Sequence, residues 1–145
     1  MATESFEIES TMDAGAAFAQ LIDLSRVSEW DRGITDPHLV DGEQGAVGAR
    51  YGLTVTGFDG APTTAFYELT AVDAPASFTM VGLHETFRAD DTVTVRPTPN
   101  GCRVTYDAGL VLLGDHPPLD EEQLTRQFAK IVAVPKAGLT RFLNP

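Results

Sequence analysis

Cysteine is almost absent. Cys102 stands alone in 145 residues, so no intrachain disulfide can form, which fits a reducing cytoplasm. Basic residues are scarce: ten Lys and Arg face 21 Asp and Glu, for a formal net charge of −11. Phosphate-rich surfaces are bound through clustered Lys and Arg, so neither nucleic acid nor an anionic membrane is an expected partner. No apolar run approaches the ~18 residues of a membrane span, and stable membrane insertion is not expected. The N-terminus lacks the pattern of a signal peptide, because Thr3 to Ser10 alternates and carries Glu4, Glu7 and Glu9. Repeats, low-complexity tracts and linkers are missing too, and one domain over residues 1–145 is expected. A chain of this size buries roughly 68–70% of its unfolded surface, so it needs neither a metal nor a disulfide to fold. The resulting expectation is a cytoplasmic monomer or weak homodimer.

What the chain does have is a strongly patterned C-terminus. Between Leu119 and Leu143, at 100° per residue, Leu124, Phe128, Ile131, Pro135, Leu139 and Phe142 fall on one stripe. Arg126, Lys130, Lys136 and Thr140 lie opposite, which predicts a long amphipathic helix with one buried face. Asp120 suits the cap, Gln123 completes a capping box, and Glu121 and Glu122 favour the positive end of the dipole. Glu122 and Arg126 are spaced to pair at i,i+4. Pro135 cannot donate to the carbonyl of Ile131, and Gly138 follows closely, so a kink or break is predicted near Val134. Its role is either shape alone or a hinge at a cavity mouth.

Before that helix the chain reads as one strand, two short helical segments and six more strands. Phe6 and Ile8 alternate with Ser5, Glu7 and Glu9. Asp13 can cap a helix with Ala14, Phe18, Leu21 and Ile22 inside, and Val27 and Trp30 point inward from a turn over Arg26 to Asp31. Strands then follow at His38–Val40, Tyr51–Thr56, Thr63–Val72, Ser77–His84, Thr92–Arg96 and Cys102–Leu113, with Ala89-Asp90-Asp91 as an interruption. Gly42, Gly45 and Gly48 suit turns of positive φ rather than a phosphate loop. Asn100-Gly101 predicts a type I′ hairpin. The order predicts an antiparallel meander with helices gathered on one face, an α+β architecture.

Four stretches resemble the START-like superfamily, also called SRPBCC or polyketide cyclase-like. They are Phe6 to Ala14, Leu21 to Trp30, Glu43 to Tyr51, and Asn100 to Tyr106 followed by the final helix. The resemblance spans nearly the whole chain. It implies the helix-grip fold, in which a seven-stranded curved antiparallel sheet wraps the long C-terminal helix. Two short helices separate strands 1 and 2, and a cavity for an apolar or aromatic small molecule lies between sheet and helix. It implies no catalytic set.

Period 2 places Tyr51, Leu53, Tyr67, Phe78 and Met80 on the face toward the helix, with Tyr106 and Ala108 on the last strand. Phe128, Ile131 and Pro135 complete the expected ligand-binding set from the helix side. Gly82 and Ala108 are small enough to leave volume unfilled. Each tyrosine is also readable as an ordinary core residue whose tip reaches water. His84 shares the parity of Phe78, Met80 and Gly82, so it could orient a ligand or move a proton, or else face solvent at a strand end. His84-Glu85-Thr86-Phe87-Arg88 misses the zinc-protease spacing by its last residue, so no metal and no cofactor is expected. Asp90-Asp91 and Glu121-Glu122 have sufficient explanations in a turn and a helix start.

Two functions follow as expectations. One is a non-enzymatic carrier or sensor of a hydrophobic small molecule, whether lipid, polyketide-like or aromatic. The other is a cyclase or dehydratase with His84 as base and Tyr51, Tyr67 or Tyr106 holding an oxyanion. A protein-interaction module would need a contiguous exposed apolar patch, and none is visible in the sequence.

Overall fold

Alternation at Phe6 and Ile8 becomes strand β1 (Ala2–Ser10). Helix α1 (Ala14–Ile22) follows, its start fixed by Asp13, which accepts from the Ala16 amide at 3.1 Å. A 3₁₀ segment over Leu24–Glu29 is capped by Asp23 and carries Val27 and Trp30 into the core. Then come β2 (Thr35–Asp41), β3 (Arg50–Thr56), β4 (Pro62–Asp73), β5 (Ser77–Leu83), β6 (Phe87–Thr98), β7 (Gly101–Leu112) and α2 (Glu121–Phe142). A computed structural model describes all 145 residues.

The seven strands form one antiparallel sheet in the order β1-β7-β6-β5-β4-β3-β2. Consecutive strands β1 and β2 therefore occupy opposite edges, and α1 with the 3₁₀ segment spans between them. A contiguous apolar core gathers the inner faces of these strands, both helices and the 3₁₀ segment. This is the helix-grip fold. No helix is long and apolar enough to cross a membrane.

Helix α2 starts as its sequence requires. The Gln123 amide donates to Asp120 at 2.8 Å, the Asp120 amide donates back to the Gln123 side chain at 2.9 Å, and Arg126 reaches Glu122 at 2.8 Å. Of the predicted kink or break near Val134, the break does not occur, and the helix runs unbroken through Pro135. The proline deprives only the Ile131 carbonyl of its helical donor, while its ring is buried between Val132 and Leu139 on the packed face. The buried stripe is also rotated from the one predicted. Val132 is 7% exposed and Ile131 41%, because contacts step through 128, 132, 135 and 139 and leave Ile131 on the flank. Gly138 does not loosen the helix but lets it dock: a Cβ there would collide with the Trp30 carbonyl oxygen.

Two sheet details also differ. The last hairpin closes at the pair Thr98 and Gly101, so its loop residues are Pro99 and Asn100. Pro99 holds φ near −65°, whereas a type I′ turn needs positive φ at both central residues, and Asn100 is not left-handed. Strand β6 is longer than predicted: Asp90 and Asp91 lie inside it, opposite Gly109 and Ala108 of β7, and form no turn. Gly42, Gly45 and Gly48 do take positive φ, at 80°, 77° and 92°.

Candidate functional site

Between the sheet and α2 lies a cavity of about 130 Å³. Its walls are apolar: Phe58, Phe87, Ala108 and Leu110 on the sheet side, Phe128, Val132 and Pro135 on the helix side. Ile131 marks its exposed rim. Its inner end is polar. Asp31, Tyr67, Asp91 and Tyr106 line it there, and the same four side chains border a second space of about 40 Å³ that also touches Trp30, Leu53 and Met80.

Strand parity builds this inner end. Phe87, Ala89, Asp91, Val93 and Val95 alternate inward along β6, so Asp91 must share the core face. Tyr106 lies opposite Val93 and diagonal to Asp91, within reach for a long side chain. Its hydroxyl donates to Asp91 Oδ2 at 2.7 Å. Tyr67 pairs with Gly82 across β4 and β5, and its ring occupies the place where a Cβ on Gly82 would stand. The volume expected above Gly82 is thus filled. Asp31 follows the 3₁₀ segment and accepts from the Gly33 amide at 2.9 Å.

Burial dominates the electrostatics. It pushes the Asp91 carboxyl from 3.8 up to about 7, against the lowering effect of the Tyr106 hydroxyl and with the help of the charges on Asp31 and Asp90. Burial likewise raises Asp31, Tyr67 and Tyr106, the two tyrosines being raised further by the charge of Asp91. No Lys, Arg or His borders either space. The buried indole N–H of Trp30 has no hydrogen-bond acceptor. A carboxyl near neutrality can accept a proton or a hydrogen bond in one form and donate in the other.

The expected ligand residues divide three ways. Tyr67, Tyr106, Ala108, Phe128, Ile131 and Pro135 border the larger space, and Leu53 and Met80 the smaller. Tyr51 and Phe78 border neither. The Tyr51 hydroxyl donates to Gln44, and Phe78 sits edge-on to Phe18 at 5.9 Å in the core. His84 is the plain correction. Strand β5 ends at Leu83, so parity no longer binds the next residue. The ring lies in the β5–β6 connection beside Thr64, Phe66, Leu83 and Glu85, away from the cavity. Its Nδ1 accepts from the Thr86 amide at 3.1 Å, its Nε2 lies 2.9 Å from Thr63 Oγ1, and it stacks on Phe87. Arg88 pairs instead with Asp90, at 3.0 Å. Sequence reasoning missed Asp31 and Asp91. The signal for Asp91 was present, since counting back by twos from Val95 and Val93 reaches it.

A family model described as polyketide cyclase/dehydrase and lipid transport matches residues 1–134. Among solved structures, a conserved protein from Geobacillus kaustophilus superposes with a TM-score of 0.73 at 14% identity, covering 97% of this chain and 93% of its own. A START superfamily protein from Mycobacterium smegmatis gives 0.72 at 12% identity over 98% and 95%. The major latex-like protein 151 of Panax ginseng gives 0.69 at 18% identity over 99% and 98%. At these identities the likeness is one of fold. No curated protein matches the chain by sequence.

Proposed function

The chain belongs to the polyketide cyclase/dehydrase and lipid transport family, and from that premise we propose that it binds a compact hydrophobic molecule between sheet and α2, as a carrier or sensor. One observation carries this reading: an apolar space, ended by a buried carboxyl–tyrosine pair, lies where the helix meets the sheet. Ligand sites commonly take this form, mostly apolar with a few convergent polar groups. Size narrows the class. A cavity of about 150 Å³ lined by aliphatic and aromatic side chains accommodates benzene, so about 130 Å³ suits a single ring. A long acyl chain or fused aromatic system exceeds this resting volume.

Titration of the folded protein with one-ring aromatics and with long-chain lipids, followed by amide chemical shifts and thermal melts, tests this. Saturable shifts at Tyr106, Ala108 and Val132 are expected with the ring compounds. A ligand at a hundred times its Kd stabilises by about 2.7 kcal/mol. Mass spectrometry of whatever copurifies supplies the natural ligand class. Absence of any saturable shift across the panel removes the proposal.

The Asp91 carboxyl, held to about 7, favours a second reading as a dehydratase. Asp91 would replace His84 as the base. Its carboxylate takes a proton from the carbon next to a substrate ketone, its acid form returns that proton to the departing β-hydroxyl, and water leaves as the double bond forms. Turnover of a β-hydroxyketone that persists unchanged in Asp91→Asn would refute it.

A further inference from the structure

The binding reading leaves the ligand's polar group open, and the inner end of the cavity restricts it. Three side chains there have unused hydrogen-bonding capacity. The Trp30 indole N–H is buried, 2% exposed, and lacks an acceptor. Tyr67 borders both spaces, and its hydroxyl has no hydrogen-bond partner within the protein. Asp91 receives a bond from Tyr106 and faces the Gly109 backbone amide, which still leaves lone pairs on its carboxyl to serve a ligand. Tyr67 and Asp91 border both spaces and Trp30 only the smaller, so the set offers two donors and one strong acceptor around the smaller space.

Head groups can be sorted against that inventory. An ammonium only donates, so it would engage Asp91 and leave the Trp30 N–H orphaned, at the full cost of a buried unpaired donor. A carboxylate only accepts. It would bring a further negative charge beside Asp31 and Asp91 with no cation on either wall to offset it. A hydroxyl donates once and accepts twice. It can give its proton to Asp91 while its oxygen receives from Tyr67 and Trp30, and it carries no charge into a site that resists one. The smaller space of about 40 Å³ has room for such a group beneath a ring seated in the larger one.

We propose that Trp30, Tyr67 and Asp91 form a hydroxyl subsite, and that the ligand is a compact neutral aromatic alcohol or phenol with its oxygen in the smaller space and its ring in the larger. The proposal rests on the binding reading above.

Its test is a matched one-ring panel of phenol, toluene, benzylamine and benzoate, titrated by calorimetry and amide shifts against the wild type, Tyr67→Phe and Trp30→Phe. Phenol is expected to bind about tenfold more tightly than toluene, the worth of one to two net hydrogen bonds, with benzoate weakest. In Tyr67→Phe, which keeps the ring, toluene affinity is expected to stay within twofold while the phenol advantage shrinks; Trp30→Phe repeats the readout at the second donor. Equal binding of phenol and toluene in the wild type overturns the subsite, as does benzylamine ahead of phenol, or a phenol advantage that survives both substitutions. In each of these cases toluene still binds and the cavity reading stands. If neither toluene nor phenol binds, it is the cavity reading that falls.

Discussion

Replacing Asp91 by Asn should stabilise this protein, and increasingly so as pH rises. The native carboxyl titrates near 7 because burial disfavours its ionised form, whereas in the unfolded chain it returns to about its ordinary 3.8. Between those two values the native state holds a proton that the unfolded state has lost. Stability conferred by that proton is complete at low pH and disappears as pH rises through the native value. Each unit separating the two states is worth about 1.4 kcal/mol, so ionising Asp91 in place costs about 4 kcal/mol by pH 8. Asparagine keeps the shape and an oxygen to accept from Tyr106 at the same position, but never ionises. Urea unfolding of both proteins at pH 4, 6 and 8, with the slope m checked for constancy, measures the gap directly. The variant should match the wild type near pH 4 and exceed it by several kcal/mol at pH 8. A gap that does not change with pH, or one that closes as pH rises, would show that Asp91 is not a buried acid without a cationic partner and would undo the electrostatic account of the site.

Three other substitutions probe the packing. Gly82→Ala places a methyl against the Tyr67 ring, and the displaced ring should cost about 1–3 kcal/mol and weaken ligand titration at Tyr106. Gly138→Ala should destabilise by about 1–3 kcal/mol in urea melts, although alanine exceeds glycine in helix propensity by about 1 kcal/mol, because the Trp30 carbonyl occupies the space; a neutral or stabilising result would mean that α2 does not dock there. His84→Ala should leave ring-compound affinity within twofold while lowering stability by about 1 kcal/mol through its lost bonds to Thr63 and Thr86, and a large loss of affinity would restore the histidine to the site.

The fold was legible because its signals are local. Asp13, Asp120 and Gln123 cap helices by their own chemistry, and Phe6, Leu53, Leu69 and Val104 declare their faces by alternation. The site was legible only in part. Tyr67, Tyr106 and Ala108 follow from parity and Phe128 from the helical stripe, but parity holds only inside a strand, and β5 stops one residue before His84. Asp91 was hidden by composition. Two adjacent acids beside an alanine resemble a turn, and only pairing with both β5 and β7 makes them strand. Asp31 carried no periodic signal at all, being placed by the end of the 3₁₀ segment. Gly138 gave a helix-propensity signal whose sign the tertiary contact reverses.

That contact also makes the two ends of α2 unequally tied. Near its C-terminus the helix is fastened three times: Gly138 rests on the Trp30 backbone, the Leu143 carbonyl accepts from Ser10 Oγ at 2.6 Å, and Asn144 donates to the Glu9 carbonyl at 3.0 Å. At the other end the polar tie to a distant segment is a surface ion pair between the Met1 ammonium and Glu121, of the kind worth less than about 1 kcal/mol. The rest of the hold there is the apolar packing of Leu124 and Phe128. If the cavity takes a guest larger than its resting space, the Glu121 end has the fewer polar ties to give up, as a door turns on the jamb that holds its pins.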